Sequence, residues 1–327
     1  MALGLDGPVS ETIAIVVALG GLGLVVGAAL ERSHFCTMGA VADFVLFRSL
    51  RRARWWLLAL ATTLVTLQGA WLGGLIDPAA LTWPRAHLGL ALTGGILFGV
   101  GMVLGGGCAS RLVVRAASGQ VKAMLALLAM AKLAALTVLV LPPEATAVGG
   151  PSALAILTLA IGLGALAWCA RHVEQRQLAG LMTAGLLGVA MLAVLGATGA
   201  LGTALPLNFV PITVAAPVSA AQTAWLAVLV GTVAGAAISA GWAGRWRFDP
   251  ARFDDDTRRH LLGGAAMGIG GAAVGGCTLG AGIGGAAMLA PAAWAGLFGM
   301  IAGSAWMVHV LATGGWGPAW RTLWSRA

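Results

Sequence analysis

Long apolar stretches, separated by short polar ones, run through the sequence from end to end. A transmembrane helix needs about 20 consecutive apolar residues, and the pattern offers nine stretches near that length. The nine predicted spans cover residues 13–31, 55–76, 87–104, 121–141, 151–171, 178–200, 223–243, 260–275 and 293–312. The pattern predicts an all-α polytopic membrane protein, one integral membrane domain over residues 1–327 with about nine transmembrane helices.

Shorter apolar stretches lie between several of these spans. With about 10 to 15 residues each, they are too short to cross a bilayer, so they are typical of re-entrant segments or half-helices. They cover residues 34–48, 108–118, 207–220 and 277–290.

The composition agrees with a membrane protein. Only 9% of the residues are charged, 59% are hydrophobic and the mean hydropathy is +0.94, whereas an ordinary soluble domain carries roughly a quarter of charged residues. A soluble globular protein is therefore excluded, and because nine spans would fill these 327 residues we expect no separate catalytic domain. The 50 glycines favour close helix packing and broken helices.

Positive charge is distributed unevenly between the predicted loops. If the N-terminus lies outside, 17 of the 19 Lys and Arg residues fall on the cytoplasmic side, and only Arg85 and Lys132 do not. Because cytoplasmic loops carry an excess of Lys and Arg, we predict a periplasmic N-terminus and a cytoplasmic C-terminus. This bias also accounts for the net charge of +8 without a nucleic-acid partner. The predicted cytoplasmic segments are Arg32, 48–54, 104–122, 171–177, 245–259 and the C-terminal tail.

One glycine-rich motif occurs twice. The segments from Gly94 to Cys108 and from Gly263 to Cys277 both fit GG-x3-G-x-G-x4-GGC, 169 residues apart. In the predicted topology the first copy runs inward and the second outward. The repeat therefore predicts two inverted halves, approximately residues 1–171 and 172–327, with a binding site at their interface near the bilayer midplane.

Each motif ends in a cysteine that precedes a short predicted helix. Backbone N–H groups and the positive dipole end of such a helix favour an anion, so Cys108 and Cys277 predict an anion site that contains thiols. Cys36 repeats this arrangement after the first span, whereas Cys169 lies at the end of an ordinary span and is typical of a packing residue. The glycines that would shape the two turns are Gly106, Gly107, Gly275 and Gly276.

Several charged residues have two interpretations. Lys132, inside a span, either partners the substrate charge or takes a structural position at the membrane. Arg111 and Arg115 either neutralise an anion near its cytoplasmic exit or only follow the charge bias of the loops. Asp43 either pairs with an arginine or caps a helix.

The sequence contains no motif for several other chemistries. No P-loop, HExxH or CxxC sequence occurs, so neither an ATP motor nor a metal or cofactor site is predicted. The spans also lack the carboxylate pair that proton relays commonly use, which leaves the driving force open.

At these residues the sequence resembles the YeeE/YedE family. The resemblance rests on Gly106-Gly107-Cys108-Ala109-Ser110-Arg111, on Gly275-Gly276-Cys277-Thr278-Leu279-Gly280, and on Arg32-Ser33-His34-Phe35-Cys36. It implies an inner-membrane transporter of sulfur compounds, with thiosulfate the characterised substrate, that is built from two inverted halves with short helices at a central constriction. The family's three working cysteines match Cys36, Cys108 and Cys277.

The resemblance also implies possible partners and an asymmetry. Some members of the family are associated with selenium metabolism, and many work beside a small cytoplasmic TusA-like sulfurtransferase. The second half has no cysteine where Cys36 would repeat, around Pro211 to Pro217, so we expect an asymmetric site.

Two functions of different class follow from these observations. The first is uptake of thiosulfate, or a related sulfur anion, by a relay of weak hydrogen bonds from three neutral thiols. The second is a membrane sulfurtransferase in which one thiolate becomes a persulfide, since helix N-termini lower thiol pKa values. No general base is evident near any cysteine, so the transporter is the preferred interpretation and a non-enzyme is expected.

Overall fold

A computed structural model of the chain describes residues 8–76, 81–84, 87–142, 145–147, 152–171, 178–210, 219–250, 252 and 254–314. Within these residues it contains nine helices of 17 to 26 residues and two short ones. The long helices are α1 (Pro8–Ser33), α3 (Arg51–Leu72), α4 (Leu88–Leu104), α6 (Val121–Val140), α7 (Ser152–Arg171), α8 (Leu178–Ala200), α9 (Ala220–Trp242), α10 (Asp255–Val274) and α11 (Pro291–Ala312). The short ones are α2 (Thr37–Phe47) and α5 (Ala109–Ala117).

Each stretch predicted as a span coincides with one long helix. Seven candidate spans among the described residues are long and apolar enough to cross a membrane. Of the nine long helices, α7 and α10 are not among these candidates, and the apolar part of α7 is Leu154–Cys169. Helix α10 begins with Asp255, Asp256 and two arginines, because the polar loop before it extends into its first turn.

The shorter apolar stretches differ in the backbone conformation that the structure gives them. Residues 34–48 and 108–118 contain the helices α2 and α5, each beginning directly after a cysteine. Residues 277–290 contain a π-helical segment, Gly280–Gly285, where added Cβ atoms at Gly280 and Gly285 would lie within 3 Å of the side chains of Asn208 and Ala293. Residues 207–210 are not helical, and 211–218 lie outside the described residues.

A small antiparallel sheet was not predicted. Strands β1 (Thr82–Pro84) and β2 (Ala145–Ala147) pair with Trp83 opposite Thr146. The prediction of a purely α-helical fold therefore missed a two-stranded element. It connects the segment before α4 with the segment after α6, and strands of three residues give almost no periodic signal in the sequence.

The two motif helices α4 and α10 pack on each other through their glycines. A Cβ atom added at Gly94 would lie 3.1 Å from the carbonyl oxygen of Gly270, and one added at Gly101 would lie 2.7 Å from that of Gly263. As the α4 position moves forward along the chain, the α10 position moves back, so the helices are antiparallel. Gly94 and Gly263 occupy the same motif position, and so do Gly101 and Gly270, so the second contact repeats the first with the two helices interchanged. Elements related by a two-fold axis make contacts of this kind.

The neighbouring helices repeat this exchange. Gly95 and Gly99 of α4 contact the backbone of Gly296 and Met300 in α11. In the same way, Gly264 and Gly268 of α10 contact the backbone of Ala126 and Met130 in α6. The two sets of contacts are related by an offset of 169 residues for the glycines and 170 for their partners. Each motif helix therefore packs against a helix from the other half of the chain.

Two further pairs of long helices also join a helix of the first part of the chain to one of the second part. Helix α1 packs on α9, where Gly27 contacts the backbone of Thr232, and α3 packs on α8, where Gly188 contacts Thr62. Glycine at these crossings lets two backbones approach closely, which is how helices associate without a hydrophobic driving force in lipid.

Two loops that the charge pattern predicts on the same side are joined by backbone hydrogen bonds. The N–H of Arg247 donates to the carbonyl of Ser118 (3.1 Å), and that of Val121 donates to Asp249 (3.1 Å). Lys122 adds ion pairs with Asp254 (3.4 Å) and Asp256 (2.7 Å). The loop after α5 and the loop before α10 therefore lie together.

Candidate functional site

The three predicted site cysteines follow turns of one backbone shape. Two residues before each cysteine, the chain adopts a left-handed conformation, with φ of 53° at His34, 72° at Gly106 and 92° at Gly275. Such a residue commonly ends a helix, and glycine adopts it without steric cost. His34 is the exception, although histidine enters this region more readily than most side chains. We name Gly106–Cys108 the first cysteine turn and Gly275–Cys277 the second.

Cys36 and Cys108 meet across the first cysteine turn. Each is the N-terminal cap of the short helix that follows it, and their two thiols lie within interaction distance of each other. Backbone N–H groups of Thr37 and Arg111 lie beside the Cys108 sulfur. The Ser110 hydroxyl lies 3.2 Å from that sulfur. Two thiols and two helix N-termini therefore converge here.

Cys277 has an amide neighbour instead of a second thiol. Its sulfur accepts hydrogen bonds from the N–H groups of Phe209 and Gly280, both at 3.5 Å. The side-chain oxygen of Asn208 accepts from the N–H of Cys277 at 2.9 Å and from that of Val210 at 3.1 Å. Asn208 therefore fixes the second cysteine turn against the segment that follows α8.

We call the three thiols of Cys36, Cys108 and Cys277 the cysteine cluster. Cys277 lies close enough to Cys108 for their side chains to interact electrostatically. Cys108 and Cys277 are 1% and 0% exposed, and Cys36 is partly buried. Helix N-termini and weak thiol donors in a buried setting can hold an anion without binding it tightly. Among the described residues, no group of His, Cys, Asp and Glu side chains could hold a metal ion.

The predicted charge partners separate into two groups. Arg111 packs over Gly107, where an added Cβ would lie 3.1 Å from the Arg111 Cβ. Arg115 donates to the carbonyl of Gly106 at 2.9 Å and to the Gln120 side-chain oxygen at 2.6 Å, so it anchors the first cysteine turn. Lys132 is exposed on α6 and does not join the cysteine cluster.

Two further predicted residues lie apart from the cysteine cluster. Asp43 pairs with Arg52 at 3.4 Å, which is the arginine alternative. Cys169 is buried at the end of α7, with its sulfur 4.0 Å from the carbonyl oxygen of Arg54. Both side chains have structural contacts.

A charged network beside Cys36 was missed. Glu31 is 3% exposed and accepts two hydrogen bonds from Arg245, at 2.8 and 2.7 Å, and one from Ser239 at 2.9 Å. The His34 ring lies within electrostatic range of Glu31, Arg245 and Arg111. The partners of Glu31 lie more than 200 positions away along the chain, so no local sequence pattern could predict the network.

Asn208 was also missed, although the repeat contained a signal for it. Applied to Cys36, the offset of 170 residues points to position 206, next to the segment that contacts Cys277. The sequence interpretation instead placed the equivalent of Cys36 near Pro211 to Pro217, and residues 211–218 lie outside the described residues. In the described segment Leu207–Val210, the side chain that meets the second cysteine turn is an amide.

Comparison with known proteins gives a family match. A family model described as sulphur transport matches the chain twice, over residues 32–169 and 152–306. Together the two matches cover most of the chain and indicate an internal repeat. A comparison with curated proteins finds no significant match.

Proposed function

The chain belongs to the YeeE/YedE sulphur transport family and is a membrane transporter of sulfur compounds, and we propose that it takes up thiosulfate or a closely related sulfur anion. A selenium compound is the alternative substrate. One observation supports the proposal: the thiols of Cys36 and Cys108 meet at two helix N-termini, and Cys277, whose sulfur accepts a hydrogen bond from the N–H of Gly280, lies within electrostatic range of Cys108.

The proposed mechanism is a relay between thiols. Thiosulfate is a dianion with a soft terminal sulfur, and the helix N-termini at the cysteine cluster offset its charge. The S–H groups of Cys36, Cys108 and Cys277 donate weak hydrogen bonds to it in turn. Weak contacts at several sites suit conduction because each site must also release the ion. On this mechanism the thiols stay neutral and are not consumed.

We propose that the two halves, approximately residues 1–171 and 172–327, are inverted repeats with nine spans and short half-helices between them. The antiparallel packing of α4 on α10 supports this proposal, as does the exchange of partners between α4–α11 and α10–α6. The Lys and Arg bias of the loops predicts the N-terminus in the periplasm and the C-terminus in the cytoplasm of a cell's inner membrane. We expect the site at the interface of the halves.

Growth on thiosulfate tests the proposed substrate. The chain is expressed in a bacterium that lacks sulfate uptake, with thiosulfate as the sole sulfur source. We expect growth that the empty vector does not support. If the chain reaches the membrane and growth equals the vector control, thiosulfate is the wrong substrate, and selenite uptake is measured in the same strain.

Protein mass separates the relay from an enzyme. A sulfurtransferase would attack the outer sulfur of thiosulfate with a thiolate, release sulfite, and retain one sulfur as a persulfide. After incubation with thiosulfate under non-reducing conditions, a relay gives no adduct. A stable gain of about 32 Da on most molecules, absent from Cys108→Ala, would favour the enzyme. A TusA-like cytoplasmic partner stays a prediction, which co-purification with such a protein would test.

Labelling of introduced cysteines tests the orientation. Trp246 and Phe248 are exposed in the loop between α9 and α10, which we propose to be cytoplasmic. Cysteine at Phe248, in a chain lacking the other accessible thiols, should react with a membrane-impermeant reagent only in inside-out vesicles. Reaction in intact cells would reverse the orientation.

A further inference from the structure

Two threonines beside the cysteine cluster have buried hydroxyl groups without a partner. Thr37 directly follows Cys36 and is 4% exposed, and Thr278 directly follows Cys277 and is 0% exposed. Neither Oγ1 atom has a hydrogen-bond partner among the residues that the structure describes. Native proteins satisfy nearly all buried polar groups, and an exception calls for an explanation such as strain, a catalytic role, a water molecule or a bound ion.

The other buried threonines of the described segments do not share this feature. The Thr63 hydroxyl donates to the carbonyl of Ala59 at 2.8 Å, and that of Thr232 donates to Val228 at 2.8 Å. Such a bond reaches back one turn within the same helix. Thr37 and Thr278 have no earlier turn available, because the left-handed residues His34 and Gly275 interrupt the helix just before them. Their position after a cysteine turn therefore leaves the hydroxyls unpaired.

Both hydroxyls belong to residues at the thiols. The backbone N–H of Thr37 lies beside the Cys108 sulfur, so this residue contacts one thiol and follows another. Thr278 lies between Cys277 and Gly280, whose N–H donates to the Cys277 sulfur at 3.5 Å. An anion held by these helix N-termini would find one O–H donor in each half of the molecule.

We propose that the hydroxyls of Thr37 and Thr278 bind the oxygen end of the transported anion, while the thiols contact its sulfur end. This inference rests on the proposed function and names the chemistry that the site selects. An O–H group donates a stronger hydrogen bond to an anionic oxygen than a thiol does. A site with both donor types recognises an ion that carries sulfur and oxygen together, and discriminates against hydrosulfide, which has no oxygen.

Isosteric substitution tests this division of roles. Thr37→Val and Thr278→Val remove the hydroxyl at constant shape, Thr→Ser keeps it, and Thr232→Val removes a buried hydroxyl that is already bonded within its own helix. The measurement is uptake of radiolabelled thiosulfate into proteoliposomes over a range of concentrations, with hydrosulfide and sulfate as competitors. We expect each Val variant to raise the half-saturating thiosulfate concentration about tenfold, since a hydrogen bond to a charged group is lost.

The competition profile separates binding from a structural role. The quantity compared is inhibition of radiolabelled thiosulfate uptake by hydrosulfide, divided by its inhibition by unlabelled thiosulfate. This ratio should rise in the Val variants at Thr37 and Thr278, whereas Thr→Ser at these positions and Thr232→Val should keep the wild-type ratio. Unchanged half-saturation and competition in both Val variants overturn the inference, as does an equal effect of Thr232→Val. If a Val variant does not accumulate in the membrane, Thr→Ala at the same position is measured by the same criteria. Wild-type protein that takes up no thiosulfate overturns the proposed function instead.

Discussion

The two cysteine turns share a backbone and differ in nearly everything around it. In the first, Cys108 meets the thiol of Cys36, and Arg115 from the following helix anchors the Gly106 carbonyl. In the second, Cys277 meets backbone N–H groups and the amide of Asn208, and the glycine-rich π-helical segment after it is completely buried. One turn therefore lies beside a second thiol and charged side chains, and the other beside uncharged polar groups in a tightly packed surrounding.

This difference shows how a repeat with one backbone can serve two roles. The glycines preserve the left-handed turn and the helix crossings in both halves, whereas the residues that face the cysteine differ. Arg115 and Arg111 contact Gly106 and Gly107 in the first turn, and Arg111 and Arg245 lie within electrostatic range of His34 before Cys36. None of the hydrogen bonds described for Cys277 and Asn208 involves a basic side chain. An anion that passes both turns would meet positive charge at one of them and only neutral groups, the Cys277 thiol, the Thr278 hydroxyl and the backbone and amide dipoles, at the other.

The largest expected effect is loss of either turn's thiol. Cys108→Ala and Cys277→Ala should each abolish growth on thiosulfate, because a relay needs a donor at both turns. Serine at either position keeps a donor that is harder and better hydrated, so we expect it to restore little. Cys169→Ala, away from the cysteine cluster, is the matched control and should grow like wild type. Normal growth of one alanine variant at wild-type expression would show that its turn is dispensable.

The next effect concerns the anchor that only the second turn has. Asn208→Leu leaves the N–H groups of Cys277 and Val210 without their acceptor, and each unsatisfied buried donor costs about 1–3 kcal/mol. We expect a lower unfolding temperature in detergent and at least a tenfold drop in uptake. Gln222→Leu removes a half-buried capping amide of α9 and should lower stability by only about 1 kcal/mol, with uptake unchanged. Equal uptake by Asn208→Leu and wild type would remove Asn208 from the site.

A smaller effect is expected from the turn backbone itself. Gly106→Ala forces a side chain into the left-handed region, which costs about 1–2 kcal/mol, and its Cβ would lie 2.7 Å from the Arg115 guanidinium. We expect reduced thermal stability with partial uptake. Gly164→Ala is the control, because Gly164 lies within α7 and an added Cβ there meets nothing within 4 Å. Identical unfolding temperatures for Gly106→Ala and Gly164→Ala would contradict this role of the turn.

The smallest effect is expected at the turn that lacks glycine. His34→Gly relieves the left-handed strain. It also raises the conformational entropy of the unfolded chain, which lowers the free energy of unfolding by about 0.4–1 kcal/mol. We therefore expect a stability change within about 1 kcal/mol and measure it as the shift in unfolding temperature. A large loss of stability would indicate that the imidazole, through its neighbours Glu31 and Arg245, holds this turn in place.

Much of the fold could be predicted because the hydrophobic pattern acts locally. All nine predicted spans coincide with helices, and Cys36 and Cys108 were expected directly before the short helices that the structure contains. The β1–β2 pair and the non-helical segment Leu207–Val210 were not expected. Both depend on a partner distant in sequence, Ala145–Ala147 for β1 and the Cys277 turn for the segment.

The sequence by itself determined the membrane class, the helix positions, the repeat and the identity of the thiols that end its two copies. These properties depend on local hydrophobicity, glycine content and spacing, which are written along the chain. Only the tertiary structure decided that Cys108 meets Cys36 while Cys277 meets Asn208, that Lys132 lies outside the cluster, and that the Thr37 and Thr278 hydroxyls are unpaired. Those properties follow from which helices exchange partners between the halves, and such contacts join residues that no sequence period connects.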